Sequence, residues 1–342
     1  ARISAATIRK ASVDGNTHYL SMSHSPHNDI GEKSVIDSEL APPQQQLSLL
    51  SQYLKTQDYD NANGIATSLS QEFPNHPVAW RALADLYRRE GRSWNALGAQ
   101  RKLLELQPNN AETHFNLALL YRDLGLDNEE LSAYFQTLLL DPDFDQAYVA
   151  IGQKIREFRF RSCQPSLYPI LDKLIAAGKY VRPSNVAKAV LSLLSHDPLL
   201  RRLLAQPDEI EGAESFQVAV RGISRFPLLH TLMKSCAIPD LRFEALFSRM
   251  RRVALVHLPE LELSRELLDF LSTLAMHCFT NDYLYPERDD EVALVAELQE
   301  TISLGIDRSE SISLTNLLCL ATYRPIHRLL PASALTALDT MP

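Results

Sequence analysis

Residues 79–108, AWRALADLYRREGRSWNALGAQRKLLELQP, decide the fold because many of their side chains recur 34 positions away along the chain. Prolines, tyrosines and leucines keep this interval through three copies: Pro74, Pro108 and Pro142; Tyr53, Tyr87 and Tyr121; Leu49, Leu83 and Leu117. Small residues keep it in pairs: Ala84 and Ala118, Gly91 and Gly125, Ala62 and Ala96. An internal repeat of this length predicts a stack of helix pairs.

Each repeated residue has a physical role in a pair of helices. Small side chains such as Ala84, Ala96 and Ala118 allow two helices to approach closely, and Trp80 fills the space that remains. Gly91 suits the positive φ at which helices often end. The prolines lie where one helix must end and the next begin. Because one pair cannot bury its apolar face alone, we expect the pairs to stack.

Six residues of the quoted segment lie at the spacings of the tetratricopeptide pattern: Trp80, Leu83, Ala84, Tyr87, Ala96 and Pro108. The chain resembles tetratricopeptide repeat proteins over residues 43–144. Its third copy differs at the second-helix alanine, where Glu130 stands, but has an aromatic residue, Tyr134, four positions later. The resemblance implies an all-α superhelix of three repeats, with residues 145–158 as a capping helix or a degenerate fourth repeat. We therefore expect a repeat array over residues 43–158.

The composition argues against several classes of function. A net charge of −8 argues against nucleic acid as the main ligand, because phosphate binding needs a basic surface. We expect no membrane insertion, because no stretch approaches the ~20 apolar residues of a membrane span. Four widely spaced cysteines without a CxxC pair predict neither a zinc site nor a disulfide framework, and favour the reducing cytoplasm. Residues 1–40 are polar and predict a disordered segment, in which Met22 is a candidate start residue.

The second half of the chain is predicted to be helical but not repetitive. Asp197 followed by Pro198 indicates the start of a helix, because aspartate caps helices and proline is favoured in the first turn. Two apolar stripes at helical spacing predict longer helices: Phe243, Leu246, Phe247, Met250, Val253 and Ala254, and then Leu267, Leu271, Leu274 and Cys278. Residues 291–303 and 312–322 predict two more. We expect an α-helical domain over residues 159–338.

Three stretches of this half carry a second resemblance: residues 226–252, residues 276–291 (MHCFTNDYLYPERDDE) and residues 322–327 (TYRPIH). They resemble the helical region between the repeats and the catalytic domain of bacterial tetratricopeptide-containing class I methyltransferases. In that family a Cys-Phe-x-Asn-Glu-Tyr-Val sequence is common, and Tyr-x-Pro-Leu-His follows. Residues 278–284 and 323–327 match these motifs, with Asp282 for Glu, Leu284 for Val and Ile326 for Leu.

The resemblance implies a partner-recruiting front half of a methyltransferase-type protein. A class I methyltransferase holds S-adenosylmethionine with a glycine-rich loop after a strand, and this sequence contains no GxG. We therefore predict no cofactor and no catalysis by this chain alone, with the catalytic domain absent, split off or encoded separately.

Other candidate chemistry is weaker. His24 and His27 lie in the polar first segment, and His257 is expected at a helix end. His277 and Cys278 are neighbours on a predicted helix and so point about 100° apart, which argues against a catalytic dyad. An acidic cluster could bind a cation, but is more simply the start of a helix: Asp282, Glu287, Asp289, Asp290 and Glu291. No metal site is predicted.

The groove of the repeat array is the better candidate for a site. In tetratricopeptide arrays the residues at positions 5, 9 and 12 of each first helix face the concave surface. Here these positions are Arg81, Asp85 and Arg88, then Phe115, Leu119 and Arg122, then Val149, Gln153 and Arg156. The third residue of each set is an arginine, so Arg88, Arg122 and Arg156 recur at the repeat interval. Their planar guanidinium groups suit the binding of carboxylates. We expect a protein or peptide partner there.

Two other functions stay open at this stage. One is an enzyme with a site between helices in residues 270–291. The other is the front part of a tetratricopeptide glycosyltransferase, which the motif at residues 278–283 argues against.

Overall fold

The computed structural model describes residues 41–308 and 311–328, and in these residues the chain forms sixteen α-helices and no β-strand. The first segment predicted to be disordered, residues 1–40, lies outside this part, as does the end of the predicted helical domain. In the described helices none is long and apolar enough to cross a membrane. The predicted all-α fold is confirmed.

Three helix pairs make up the repeats: α1 (Gln44–Lys55) and α2 (Tyr59–Glu72), α3 (Pro77–Arg89) and α4 (Ser93–Leu106), α5 (Ala111–Asp123) and α6 (Asp127–Leu140). The remaining helices are α7 (Asp145–Lys154), α8 (Tyr168–Ala176), α9 (Pro183–Leu194), α10 (Pro198–Ala205), α11 (Ala213–Ile223), α12 (Pro227–Ser235), α13 (Leu241–Val256), α14 (Arg265–Thr280), α15 (Asp289–Asp307) and α16 (Leu314–Ala321). The six helices predicted for residues 43–144 are confirmed.

The same backbone hydrogen bond ends the first helix of every repeat. An N–H group donates to a tyrosine carbonyl five residues earlier: Asp58 to Tyr53 (2.9 Å), Arg92 to Tyr87 (2.8 Å) and Leu126 to Tyr121 (2.9 Å). This bond requires a left-handed residue within the turn. Gly91 and Gly125 supply it with φ of 72° and 71°, and Gln57 adopts φ of 60° at the matching position of the first repeat. The repeat is therefore a repeat of contacts as well as of residues.

Side chains repeat their contacts in the same way. Trp80 donates its Nε1–H to the carbonyl of Pro74 at 2.8 Å, and His114 lies one repeat later with Nε2 at 2.9 Å from the carbonyl of Pro108. The repeated alanines are buried between helices: Ala62, Ala84, Ala96 and Ala118. Trp80 itself is only half-buried.

The third repeat accommodates a glutamate where the others have alanine. Glu130 is buried, and its Oε2 lies 3.1 Å from Nζ of Lys154 on α7, within ion-pair distance but without the geometry of a hydrogen bond. Lys154 also donates to Asp127 at 2.6 Å. The departure from the pattern thus ties α6 to the helix that follows it.

The helix pairs are not continued after α7, and whether residues 145–158 are a capping helix or a degenerate fourth repeat stays a prediction. A 3-10 turn, Ile155–Glu157, follows α7 directly in place of a second repeat helix. Gly152 faces the backbone of Tyr180, so closely that a Cβ on Gly152 would lie 2.8 Å from that carbonyl oxygen. The chain after the array is therefore packed onto α7.

One hydrophobic core runs from the third repeat into the second half of the chain, from Ala118 to Tyr285. The predicted stripes on α13 and α14 are buried, and Asp197 caps α10 by accepting from the N–H of Leu199 at 2.9 Å. A smaller cluster joins the end of α13 to α15 and α16. A domain boundary at residue 158 stays a prediction, because the core continues across it.

Candidate functional site

The first repeated arginine lies in an open cleft that spans two repeats. Asp85, Arg88 and Arg89 on α3 and Asp123 on α5 line a volume of about 490 Å³. Nε of Arg88 lies 2.9 Å from Oδ2 of Asp123, and the two side chains are 36% and 32% exposed. Arg88 is therefore already paired with a carboxylate within the cleft, that of Asp123 in the neighbouring repeat.

The surroundings of Asp85 in this cleft shift the pKa of its carboxyl. Partial burial raises the pKa of its carboxyl, and Arg89, Arg88 and Arg81 each act in the opposite direction. Arg89, which the repeat positions do not predict, donates from Nη1 to the hydroxyl of Tyr59 at 3.0 Å. Arg81 donates to Oε1 of Gln107 at 3.2 Å. The cleft is a mixed-charge surface in which two of the three arginines on α3 already have partners outside it.

The middle positions of the predicted groove differ from one another. Phe115 and Leu119 are half-buried against the core, and the ring of Phe115 lies 4.8 Å from that of Phe144, centroid to centroid. The side chain of Arg122 is exposed and makes no hydrogen bond or ion pair with the residues that the structure describes. Only the arginine of this set is therefore fully available to a ligand.

The last positions lie on and after α7. Val149 is 46% exposed and Gln153 is exposed. Arg156 lies on the 3-10 turn and not on the helix, where its exposed side chain has no partner within the described part of the chain. Glu157, one repeat after Asp123, is on the same turn and pairs with neither Arg122 nor Arg156. Because Glu157 lies on this irregular turn, Arg122 has no counterpart of the pair that Arg88 makes with Asp123.

The histidine and cysteine candidates are structural. Nε2 of His277 lies 2.8 Å from the hydroxyl of Tyr285, and Nδ1 lies 3.1 Å from the carbonyl of Met233. Burial raises the pKa of the Cys278 thiol to about 12, so the thiol is not a nucleophile near neutral pH. His257 ends α13 with Nδ1 at 3.1 Å from Glu260. His24 and His27 lie outside the described residues.

The acidic cluster is divided among separate partners. Glu287 binds the guanidinium group of Arg324, which lowers the pKa of the Glu287 carboxyl. Asp290 accepts from Arg252 at 2.5 Å. Glu291 accepts from the hydroxyl of Tyr323 at 2.7 Å. Within residues 41–308 and 311–328, no group of three or more histidine, cysteine or acidic residues is placed to hold a metal ion.

The three stretches of the second resemblance meet around one buried arginine that the sequence did not predict. Arg251 is 1% exposed, and its Nη2 donates to the carbonyl of Pro286 at 2.9 Å. Its guanidinium carbon lies 4.2 Å from the ring centroid of Tyr323, and Nη2 lies 3.9 Å from Oε1 of Glu291. Arg251, Pro286 and Tyr323 come from the first, second and third stretch respectively, which together form a single polar cluster.

The turn after α14 belongs to the same region. Asp282 and Tyr283 have φ of 53° and 57°, in the left-handed range that non-glycine residues rarely adopt. The N–H of Tyr283 donates to the carbonyl of Cys278 at 2.7 Å and so closes the helix. Residues 281–284 of the motif therefore lie at a sharp helix end beside the polar cluster.

The comparisons with known proteins add little beyond the geometry. No protein-family model and no curated protein matches the chain. Among solved structures, the chain is similar to a tetratricopeptide repeat protein from Parabacteroides merdae, with 17% sequence identity and a TM-score of 0.32, over 82% of this chain and 98% of that chain. The assignment of the repeats rests on their own hydrogen bonds and buried alanines, and the methyltransferase resemblance is not confirmed.

Proposed function

We propose that the repeat array is a binding module whose groove captures an acidic peptide segment or chain terminus. The observation that supports this most directly is the pair between Arg88 and Asp123, with its N–O distance of 2.9 Å. It shows that an arginine at this repeat position can hold a carboxylate at the surface. Arg122 and Arg156 occupy the next two equivalent positions.

The repeat explains why ligand carboxylates would bind at the second and third arginines. Asp123 satisfies Arg88, but Arg122 and Arg156 are exposed and have no carboxylate within the described residues. Exposed Val149, which lies on α7 between these two positions in the chain, offers an apolar contact to the same ligand. An acidic segment with apolar residues therefore fits this surface.

The fuller form of the proposal is that the captured partner is delivered to a class I methyltransferase domain, on a longer form of this chain or on another protein. Its support is the resemblance at residues 278–284 and 323–327. Delivery requires capture, so the binding experiment comes first.

The test compares Arg122→Gln, Arg156→Gln with the unaltered chain. The probe is a fluorescein-labelled peptide, Gly-Asp-Leu-Glu-Glu-Leu-Asp, measured by fluorescence polarisation. Each charge-assisted contact contributes ~1.5–3 kcal/mol when desolvated, and less when exposed. We expect the double variant to bind about 100-fold more weakly, since about 1.4 kcal/mol corresponds to one decade. Raised salt should act in the same direction because it screens the attraction.

The matched control is Arg101→Gln, Arg182→Gln, which removes the same charge from exposed arginines on α4 and before α9. Arg88→Ala is a less clean variant, because it also releases Asp123. Equal affinity in the two double variants, or equal binding of the Asn/Gln form of the peptide, would contradict the proposal.

A further inference from the structure

A second cleft, which we call the α13 cleft, follows the outer face of α13 and has a volume of about 540 Å³. Its floor is a stripe of residues at helical spacing: Leu241, Glu244, Ser248 and Arg252. One wall contains Pro207 and Asp208, and the other is the turn after α14 with the start of α15. The cleft shares no residue with the groove of the repeats.

Two hydrogen-bond acceptors in this cleft have no partner. Glu244 is half-buried, and its carboxylate makes no hydrogen bond or ion pair in the described part of the chain. Oδ1 of Asn281 is shielded from solvent and also lacks a partner. A shielded acceptor without a donor is unfavourable, and a half-buried charge is more so. The accessible Glu244 carboxylate therefore favours a ligand that donates hydrogen bonds.

The arginines of the cleft do not neutralise Glu244. Arg249 donates from Nε to the carbonyl of Ile210 at 2.8 Å, which holds one wall in place. Arg252 is paired with Asp290. Arg288 is exposed and makes no ion pair with Glu244. Glu244 is thus the charge in this cleft that gains most from a partner.

The opening of the cleft is apolar. Leu241 and Leu284 line it and are 80% and 78% exposed. Leu284 directly follows the left-handed residues Asp282 and Tyr283, so a strained turn presents it.

We propose that the α13 cleft binds an extended peptide segment through a lysine or arginine side chain, which enters beside Glu244 and Asn281, while apolar neighbours of that residue contact Leu241 and Leu284. This site selects the charge opposite to that chosen by the groove of the repeats.

The test uses two small probes, acetyl-Leu-Arg-Leu-amide and the same peptide with citrulline, the neutral isostere of arginine. Binding is followed by backbone amide shifts in nuclear magnetic resonance, which report both the affinity and the place of binding. We expect the arginine probe to shift Asn281 and Leu284 and to bind at least about tenfold more tightly than the citrulline probe, because a charge-assisted contact is lost. Glu244→Gln should remove the same preference.

The control is Glu300→Gln, which makes the same charge change at an exposed position of α15. Equal binding of the two probes, tighter binding of acetyl-Leu-Glu-Leu-amide, or no shift at Asn281 would overturn the proposal. An unchanged preference in Glu244→Gln would do so as well. The double variant Arg122→Gln, Arg156→Gln should leave this binding intact, so the two proposals fail separately.

Discussion

The repeat half and the second half of the chain are both helical, but they are stabilised in different ways. In the repeats, one backbone contact is used three times, since a tyrosine carbonyl accepts from the turn in each repeat, and buried alanines let the helices approach closely. In the second half, a single cluster of charged and aromatic groups around Arg251 joins α13, the turn before α15 and α16. Losing one copy of a repeated contact should lower the free energy of unfolding only a little. Losing one member of a unique buried cluster should lower it more, because the other members lose their partner.

The largest effect is therefore expected at Arg251. Arg251→Met should lower the free energy of unfolding by about 3–4 kcal/mol, because the buried carboxylate of Glu291 and the partly buried carbonyl of Pro286 lose their cationic neighbour. Urea denaturation followed by far-ultraviolet circular dichroism measures this. The adjacent Arg252→Met removes only a partly exposed pair with Asp290 and should cost less than about 1 kcal/mol. Equal losses would show that burial of the Arg251 guanidinium group does not determine its contribution to stability.

A smaller effect is expected where the repeat pattern itself is broken. Lys154→Met should cost about 2 kcal/mol, because buried Glu130 loses its nearest positive charge, although Lys154 is partly exposed. Adding Glu130→Ala, which restores the alanine of the other repeats, should recover most of that loss. Thermal denaturation of both single variants and of the double variant measures the coupling. Additive losses would mean that Glu130 does not need Lys154.

The smallest effect concerns the turn that ends each first helix. Gln57→Gly should raise the free energy of unfolding by about 0.5–1 kcal/mol, because glycine adopts φ of 60° without strain. Gly91→Ala should lower it by about 1 kcal/mol, and the cause there is backbone strain alone, since no atom lies within 4 Å of the added Cβ. Both follow from urea midpoints. A loss of stability in Gln57→Gly would indicate that the first repeat does not share the turn of the other two.

The sequence predicted the elements whose signals are local. The stripe from Phe243 to Ala254 and the cap at Asp197 were both correct, because a few neighbouring residues determine them. Helical periodicity also places Arg251 on the buried face of α13, since it lies four residues after Phe247 on the same helix. Its partners Pro286 and Tyr323 come from stretches that no period relates to α13.

For the candidate groove, the sequence predicts which residues line it but not the contacts that these residues make. The 34-residue interval gave Arg88, Arg122 and Arg156, but not that Asp123 pairs with the first of them. The half-burial of Phe115 depends on Phe144, which has no counterpart among the prolines, tyrosines and alanines of the repeat. Whether a ligand uses these positions stays a prediction.

The close approach of Gly152 to Tyr180 restricts where further helix pairs can be inserted into the array. Even a methyl group on Gly152 would collide with the main chain of the segment after α8, so this junction accepts no new neighbour on that side. A helix pair duplicated within residues 43–144 leaves the junction intact, because each pair contacts mainly the pairs beside it. One inserted after α7 would separate Gly152 from Tyr180 and expose a core that continues to Tyr285. Lineages or engineered forms of this protein can therefore lengthen the binding surface by helix pairs added within residues 43–144, and not after α7.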